Sequence, residues 1–320
     1  MNYLITGGAG FIGSHLAEHI LNKNKKHNVV ILDDFSTGSK NNIEALLENE
    51  RFKVIQGTVL DYDLVDVLVS DCDYIYHFAS SVGIKYIYEN KLKSLDVSTI
   101  GARNIFSAAT IHKKRVMFSS SSEVYGKRSF LDDENCDKIL GSTDVFRWSY
   151  SVAKTLAEYY LHVFHEAGLN YEIVRFFNVV GPRQNDKYGM VLPKFIKQAL
   201  SNDDLTIYGN GEQIRCFTFV KDIVEICYQF SQLNHSTNLT YNVGNNKPLS
   251  INTLADMVID ITKSKSKKIH IPYEKIYEKN FEDCEKRIPN ITRLLNTITT
   301  IKFTGMENII YEILQNLNHQ

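Results

Sequence analysis

Tyr150 and Lys154 lie four residues apart in a stretch whose apolar spacing predicts a helix, so both side chains project from one face of it. A lysine ammonium beside a phenol favours the ionised phenol, and we expect it to lower the pKa of the tyrosine toward neutral pH. A phenolate in this setting is a general base for the hydroxyl of an alcohol or a sugar. The pair therefore indicates proton abstraction from a hydroxyl, with an exposed, noncatalytic helical pair as the alternative.

A serine hydroxyl is predicted beside this pair. Ser121 follows the apolar strand 116–120, and in an alternating α/β chain the end of that strand lies near the tyrosine. Its hydroxyl can bridge the phenol and the substrate oxygen. Ser121 belongs to a run of four serines, 119–122, so the register is open, and a simple turn residue at the strand end is the alternative.

The second reactant of this chemistry must be held by a glycine-rich turn near the start of the chain. Gly7, Gly10 and Gly13 join an apolar strand to an amphipathic helix, and Phe11 and Ile12 complete the turn. Backbone N–H groups at such a helix start face a pyrophosphate, which predicts a dinucleotide site.

The residue that ends the second strand selects among dinucleotides. Asp33 lies twenty residues after Gly13, where a carboxylate can accept both hydroxyls of the adenosine ribose. The same carboxylate would repel a 2′-phosphate, so the pattern predicts NAD rather than NADP. Thr58 stands where an adenine-contacting acid is expected, and it can still accept a hydrogen bond. Further cofactor contacts are predicted, besides Tyr150 and Lys154, at Val59, Phe78, Ala79 and Ser80.

The order of elements predicts an α/β protein with a doubly wound parallel sheet of the Rossmann type. Strands are predicted near 2–6, 28–33, 52–56, 73–78, 114–120 and 171–176, and helices near 12–23, 41–48, 62–69, 94–109 and 149–167. Ligands of such sheets bind beyond the carboxyl ends of the strands, which is where Gly7, Asp33, 78–80, Ser121 and Asn178 fall. We expect the NAD-binding domain to span 1–178, with 216–243 returning to it, and a smaller C-terminal lobe to span 179–215 and 244–320.

Composition limits the partners. The chain of 320 residues has 36 basic and 37 acidic residues, which gives no broad field for nucleic acid or an anionic membrane. Its five cysteines show no CxxC spacing, which fits a reducing compartment and predicts no metal site. No signal peptide or run of 18 apolar residues is found, so we expect a cytoplasmic protein that binds small molecules.

Several motifs together resemble the extended short-chain dehydrogenase/reductase family, specifically its nucleotide-sugar epimerases, dehydratases and decarboxylases. They are TGGAGFIGSHL at 6–16, HFAS at 77–80, SSSEVYG at 120–126, YSVAK at 150–154, RFFNVVGPR at 175–183 and GEQIRCF at 211–217. The resemblance covers nearly the whole chain. It implies a catalytic triad of Ser121, Tyr150 and Lys154, tightly held NAD, a nucleoside diphosphate sugar as substrate, and oxidation of sugar C4 to a ketone.

The fate of the 4-keto sugar distinguishes the family members, and Glu123 is the most informative residue for choosing among them. The resemblance is strongest to UDP-glucuronate decarboxylases, which carry Thr-Ser-Glu before Val-Tyr-Gly, an arginine at the position of Arg147, and a segment similar to 286–291. A UDP-uronic acid, either glucuronate or its N-acetyl analogue, is therefore the expected substrate and a UDP-pentose the product. A UDP-sugar 4-epimerase, a 4,6-dehydratase and a noncatalytic dinucleotide sensor are the alternatives, in that order.

The resemblance also implies substrate contacts and an assembly. It assigns a catalytic role to Glu123 besides the triad. It assigns substrate contacts to Ser122, Arg147, Asn178, Arg183, Arg215 and Arg287. Glu123 and Arg147 have structural alternatives, as a backbone acceptor and a loop brace. Three departures from the family pattern are Ser121 for threonine, Asn290 for aspartate and Ser98 for asparagine. Helices 94–109 and 149–167 are expected to pair two subunits in a homodimer.

Overall fold

The computed structural model describes residues 1–81, 83–128, 131–184, 190–275 and 284–318. The strands are β1 (Asn2–Thr6), β2 (Asn28–Asp33), β3 (Phe52–Gln56), β4 (Tyr74–His77), β5 (Arg115–Ser121), β6 (Leu131–Asp132), β7 (Asn170–Phe176), β8 (Val179–Val180), β9 (Leu205–Tyr208), β10 (Ile214–Arg215), β11 (Thr218–Phe219), β12 (Thr240–Val243), β13 (Leu249–Ser250), β14 (Lys268–Ile271) and β15 (Lys286–Pro289). The α-helices are α1 (Phe11–Lys23), α2 (Tyr62–Ser70), α3 (Ile84–Glu89), α4 (Lys91–Asp96), α5 (Ala102–Ile111), α6 (Trp148–Glu166), α7 (Val191–Leu200), α8 (Val220–Ser231), α9 (Ile251–Thr262), α10 (Thr292–Thr297) and α11 (Met306–Asn318).

Seven strands form the central sheet in the order β12-β7-β5-β4-β1-β2-β3. Every neighbouring pair in this sheet is parallel, for example β1 with β2 and β5 with β7. Strands buried on both faces need apolar residues throughout, and β4 and β7 are buried along nearly their whole length. The predicted doubly wound parallel sheet is confirmed.

Helices cover both faces of this sheet. On one face α1 and α8 contribute Leu16, Ile20 and Phe230 to a core that includes Ile5 of β1. On the other face the core is built from α2, α5 and α6 against the opposite sides of the same strands, through Val65, Phe106, Leu161 and Phe118. Each fully buried side chain of this kind stabilises the fold by about 1.5–3 kcal/mol. The two cores fix the sheet, so the carboxyl ends of its strands lie along one edge.

The predicted helix at 41–48 is wrong. The chain forms two 3₁₀ turns there, Lys40–Asn42 and Glu44–Leu46. Only Ile43 and Leu46 are buried in this stretch, and their spacing of three matches a 3₁₀ turn better than an α-helix. The asparagines that start the segment favour turns, because their side chains compete for backbone hydrogen bonds.

The helix predicted at 94–109 is interrupted. A π-helical turn, Val97–Gly101, separates α4 from α5. Its inward residues Val97, Ser98 and Gly101 are buried, and a Cβ on Gly101 would lie 2.4 Å from Cγ2 of Val59. Single π turns within α-helices are frequent at functional sites, and this one faces the loop after β4 through Ser98.

The later part of the chain adds small sheets. One has four strands in the order β13-β10-β15-β6, and two have two strands each, β8 with β11 and β9 with β14. β12 joins the central sheet beside β7, with Val243 opposite Phe176. The proposed division at residue 178 stays a prediction. None of the helices in the described ranges is long and apolar enough to cross a membrane.

Candidate active site

The carboxyl ends of the parallel strands bring the predicted residues to one edge. Gly7 follows β1, Asp33 ends β2, Ser80 follows β4, and Ser121 ends β5. The first turns of α6 face this edge and carry Tyr150 and Lys154. The hydrogen bond from Lys154 of α6 to the carbonyl of Ser119 in β5 places the tyrosine against the end of β5.

The hydroxyls of Ser121 and Ser80 both face the phenol of Tyr150, and each lowers its pKa. Oγ of Ser121 also accepts the backbone N–H of Glu123 at 3.2 Å, which fixes the rotamer of this serine at the strand end. Oγ of Ser80 lies 3.3 Å from Oγ of Ser98 in the π turn. Three segments distant in sequence thus converge on one phenol oxygen.

The expected lowering of the Tyr150 pKa by Lys154 is not found. Burial raises the pKa of Tyr150 to about 12, and the serine hydroxyls offset this only in part. Nζ of Lys154 lies 5.9 Å from the centre of the tyrosine ring and donates a 2.7 Å hydrogen bond to the carbonyl oxygen of Ser119. Burial also lowers the pKa of Lys154 to about 7. The phenol is therefore protonated at neutral pH in the structure as it stands.

The glycine turn fits a dinucleotide. Gly7 has φ +70°, and a Cβ on it would lie 2.8 Å from the backbone nitrogen of Ala79. A Cβ on Gly13 would lie 2.3 Å from the carbonyl oxygen of Gly7. Gly10 precedes α1 without a side-chain cap, so the N–H groups of the first helical turn, from Phe11, Ile12 and Gly13, are available to a phosphate.

The acidic residue that ends β2 is held in one orientation by backbone hydrogen bonds. The two carboxylate oxygens of Asp33 accept backbone N–H groups from Ala9 at 2.9 Å and Phe35 at 2.8 Å. Burial raises the pKa of this carboxyl despite these bonds. Each oxygen keeps a lone pair that can accept a ribose hydroxyl.

The other predicted cofactor residues surround the same edge. Oγ of Thr58 accepts the N–H of Leu60 at 3.2 Å, and the carbonyl of Val59 accepts a bond from Asn104 at 3.0 Å. The N–H groups of Phe78 and Ala79 bond to the carbonyl and hydroxyl of Thr6, so the loop after β4 is tied to β1.

Glu123 and Arg147 form an ion pair beside the tyrosine. Nη2 of Arg147 lies 3.4 Å from Oε2 of Glu123, and the arginine is the more buried partner. The backbone carbonyl of Glu123 accepts a 2.6 Å bond from the hydroxyl of Ser151, next to Tyr150. Ser122 is buried at the start of the 3₁₀ turn Ser122–Tyr125. The charge of Glu123 opposes ionisation of the Tyr150 phenol.

The remaining predicted substrate residues are not gathered at one point. Arg183 bonds to Ser14 and Glu18 on α1, at the dinucleotide side. Asn178 has φ +30°, and its side chain donates to the carbonyl of Cys216. Their substrate roles stay predictions.

Arg215 and Arg287 lie opposite one another on the adjacent strands β10 and β15. Arg287 is almost fully buried, where it donates a 2.6 Å bond to the carbonyl of Gly126 and lies 3.6 Å from Asp132. Burial raises the pKa of Asp132 to about 6 although Arg287 and Arg128 oppose this. Arg287 is thus part of a buried ion pair in this structure, and its contact with substrate stays a prediction.

Two charged residues that the sequence analysis did not select are buried below the site. Glu158 follows Lys154 by one helical turn, and Arg175 lies in β7. The signal was present in the spacing, because Tyr150, Lys154 and Glu158 repeat every four residues on one face of α6.

Comparisons with known proteins agree with this geometry. The model of the NAD dependent epimerase/dehydratase family matches residues 3–244. A UDP-N-acetyl-alpha-D-glucosaminuronate decarboxylase of Bacillus cytotoxicus is 40% identical over 91% of this chain and 89% of its own length. UDP-glucuronic acid decarboxylase 3 of Arabidopsis thaliana is 32% identical over 92% of this chain and 82% of its own. The structure of a UDP-glucuronic acid 4-epimerase from Bacillus cereus with UDP-glucuronic acid and NAD has TM-score 0.89 and 26% identity, covering 100% of this chain and 99% of that one.

These findings confirm the predicted resemblance, the fold class, the enzymatic nature of the protein and NAD as its cofactor. The roles assigned to individual side chains stay predictions, since the comparisons concern whole chains. The protein is a member of the NAD dependent epimerase/dehydratase family.

Proposed function

We propose that this enzyme decarboxylates a UDP-uronic acid, with UDP-N-acetylglucosaminuronate favoured over UDP-glucuronate, and releases a UDP-pentose. The observation that carries the proposal is the Glu123–Arg147 ion pair beside Tyr150, because it puts an arginine next to the predicted base. The choice of the N-acetyl sugar is supported by the 40% identity with the Bacillus cytotoxicus enzyme.

In the proposed reaction Tyr150 accepts the proton of the C4 hydroxyl, while Ser121 donates a hydrogen bond to the same oxygen. When bound, NAD would supply a hydride acceptor for C4 and, after the hydride is returned to that carbon, would be regenerated in each cycle. The C4 ketone is β to the carboxylate, so the bond from C5 to the carboxyl carbon can break with loss of carbon dioxide. The electron pair of the broken bond enters an enolate. A proton then adds to C5, and Tyr150 returns its proton to O4. One proton is consumed overall.

Arg147 is proposed to recognise the substrate carboxylate. Its guanidinium lies beside a carboxylate, that of Glu123, and the planar fork of a guanidinium matches the geometry of a carboxylate. Its buried position, with Cζ 5.4 Å from the centre of the Trp148 ring, fixes its direction. A neutral sugar would gain nothing from this contact.

Mass spectrometry of products from UDP-N-acetylglucosaminuronate, UDP-glucuronate and UDP-N-acetylglucosamine tests the proposal. A product lighter by carbon dioxide is expected from an acidic sugar. Arg147→Met should raise KM for the acid about tenfold or more, and Arg147→Lys, which keeps the charge, should raise it less. A mass that never falls by carbon dioxide would refute the decarboxylase.

A 4-epimerase is the second candidate, favoured by the structural match to the Bacillus cereus UDP-glucuronic acid 4-epimerase. It would yield an isomer of unchanged mass, which chromatography separates from the substrate. A 4,6-dehydratase would yield a product lighter by water.

The proposal includes a homodimer. Val152, Leu156, Tyr159 and Val163 form an exposed apolar stripe on α6, with Tyr159 64% exposed. Their spacing puts them on one helix face, and contiguous exposed apolar patches mark protein contacts. Light scattering should find a dimer for the wild type and a monomer for Tyr159→Glu. Tyr311→Glu, at an exposed tyrosine on α11, is the matched control and should remain dimeric.

A further inference from the structure

The buried carboxylate of Glu158 connects the catalytic helix to the catalytic strand. Glu158 is 4% exposed, and its Oε1 accepts a 2.6 Å hydrogen bond from the hydroxyl of Ser120 in β5. Arg175 grips both carboxylate oxygens, through Nε at 2.9 Å and Nη2 at 2.8 Å. Lys138 adds a bond of 2.9 Å to Oε2. A buried carboxylate with four charge-assisted bonds has one fixed orientation.

These bonds lie next to the reacting groups. Ser120 is the neighbour of Ser121, and Lys154 of the same helix donates to Ser119. The strand end is thus tied to α6 at two successive residues, just before the serine whose hydroxyl meets Tyr150. A shift of β5 relative to α6 would change the distance from Ser121 to the phenol, to which proton transfer is sensitive.

The same carboxylate sets the charge environment of Lys154. Glu158 is the acidic group that faces the lysine, and it opposes the effect of burial, which lowers the pKa of Lys154 to about 7. His77 and Tyr150 also face this lysine, and burial keeps the histidine neutral by lowering its pKa to about 3.

The groups that face Glu158 are mainly cationic. Burial raises the pKa of Glu158, but Arg175 and Lys138 outweigh it and lower this pKa to about 2, so the carboxylate is charged at every working pH. His162 is a third neighbour on α6.

We propose that Glu158, clamped by Arg175, is a positioning residue for C4 oxidation, which it serves by fixing Ser120 and Ser121 against α6 and by supporting the ammonium of Lys154. The inference rests on the proposed C4 chemistry. It holds equally for decarboxylation and epimerisation, because both begin with that step.

Two substitutions separate the two effects. Glu158→Gln removes the charge and keeps the shape, so the alkaline limb of the kcat profile should move about one pH unit lower, with a loss of about tenfold at pH 8 that diminishes toward pH 6. Ser120→Ala keeps the charge of Glu158 and removes one hydrogen bond between β5 and α6. The kcat should therefore fall about fivefold at every pH, while the alkaline limb of its profile stays in place. KM should change little in both variants.

Glu166→Gln, the same change at an exposed position of α6, is the control and should behave as wild type. If Glu158→Gln does not fold, the double variant with Arg175→Gln leaves no unpaired buried charge and is expected to show the same shift. An unmoved alkaline limb in the folded variant, or wild-type kcat in Ser120→Ala, overturns the proposal. The wild-type product identifies the reaction independently, so an error in the proposed function shows there and not in these comparisons.

Discussion

Removing the charge of Glu158 should cost the fold a measurable and pH-dependent amount of free energy. The ion pair with Arg175 lowers the pKa of Glu158 from an ordinary 4.5 to about 2. That difference corresponds to about 3 kcal/mol of stability at neutral pH, since each pKa unit is worth about 1.4 kcal/mol. The loss on Glu158→Gln is of the same order as that measured for breaking other buried ion pairs, about 3–5 kcal/mol.

The sign of the pH dependence follows from the direction of the shift. A carboxyl whose pKa is lowered in the folded state stabilises the fold fully above its unfolded pKa, here 4.5, and this contribution is lost as pH falls through about 2. The difference in unfolding free energy between wild type and Glu158→Gln should therefore be constant from pH 8 to pH 5 and shrink below pH 4.

Urea unfolding followed by circular dichroism at several pH values measures this difference. Glu166→Gln controls for the loss of a glutamate on the same helix and should match wild type at every pH. A gap between wild type and Glu158→Gln that stayed constant down to pH 3 would refute the reasoning, because the stabilisation would then not come from the charge.

Three further results are expected. Tyr150→Phe should lower kcat at least a thousandfold while NAD, followed by protein fluorescence, still binds, and unchanged turnover would remove the phenol from the mechanism. Gly13→Ala should weaken NAD binding tenfold or more, because its Cβ would lie 2.3 Å from the Gly7 carbonyl, and wild-type affinity would contradict this. Asp33→Ala should weaken NAD binding by about tenfold with little effect on NADP binding. Calorimetric titrations of both cofactors measure this, and an equal loss of affinity for the two would contradict it.

Sequence patterns predicted which residues lie together at the strand ends, because these patterns are local. The glycine turn and Asp33 are fixed by backbone geometry within a strand and its next helix, and a parallel sheet then places all strand ends together. The same rule brought Ser121 to Tyr150, although almost thirty residues separate them in the chain.

The predictions failed where packing decides. The π turn at Val97–Gly101 depends on how closely the helix approaches Val59, which no spacing within 94–109 reveals. The contacts of the four arginines expected at the substrate could not be predicted either, since Arg183 is bound on α1 and Arg287 is buried against Asp132, and their substrate roles stay predictions. The partner of a charged side chain cannot be read from the sequence, because tertiary contacts determine it.

The pKa of Tyr150 shows why a spacing of four residues does not by itself make a base. With a pKa of about 12, some five units above neutral, only about one phenol in 10⁵ is ionised at pH 7. Lys154 does not lower this pKa, because its ammonium donates to the carbonyl of Ser119 and acts instead by holding β5 against α6. If Tyr150 is the base, as proposed, the missing stabilisation of the phenolate must come from charge that enters the site with the ligands, and oxidised nicotinamide would carry a positive charge of the required sign. Under that proposal Tyr150 would be ionised only with the oxidised cofactor bound, and it would not remove a proton when no hydride acceptor is present.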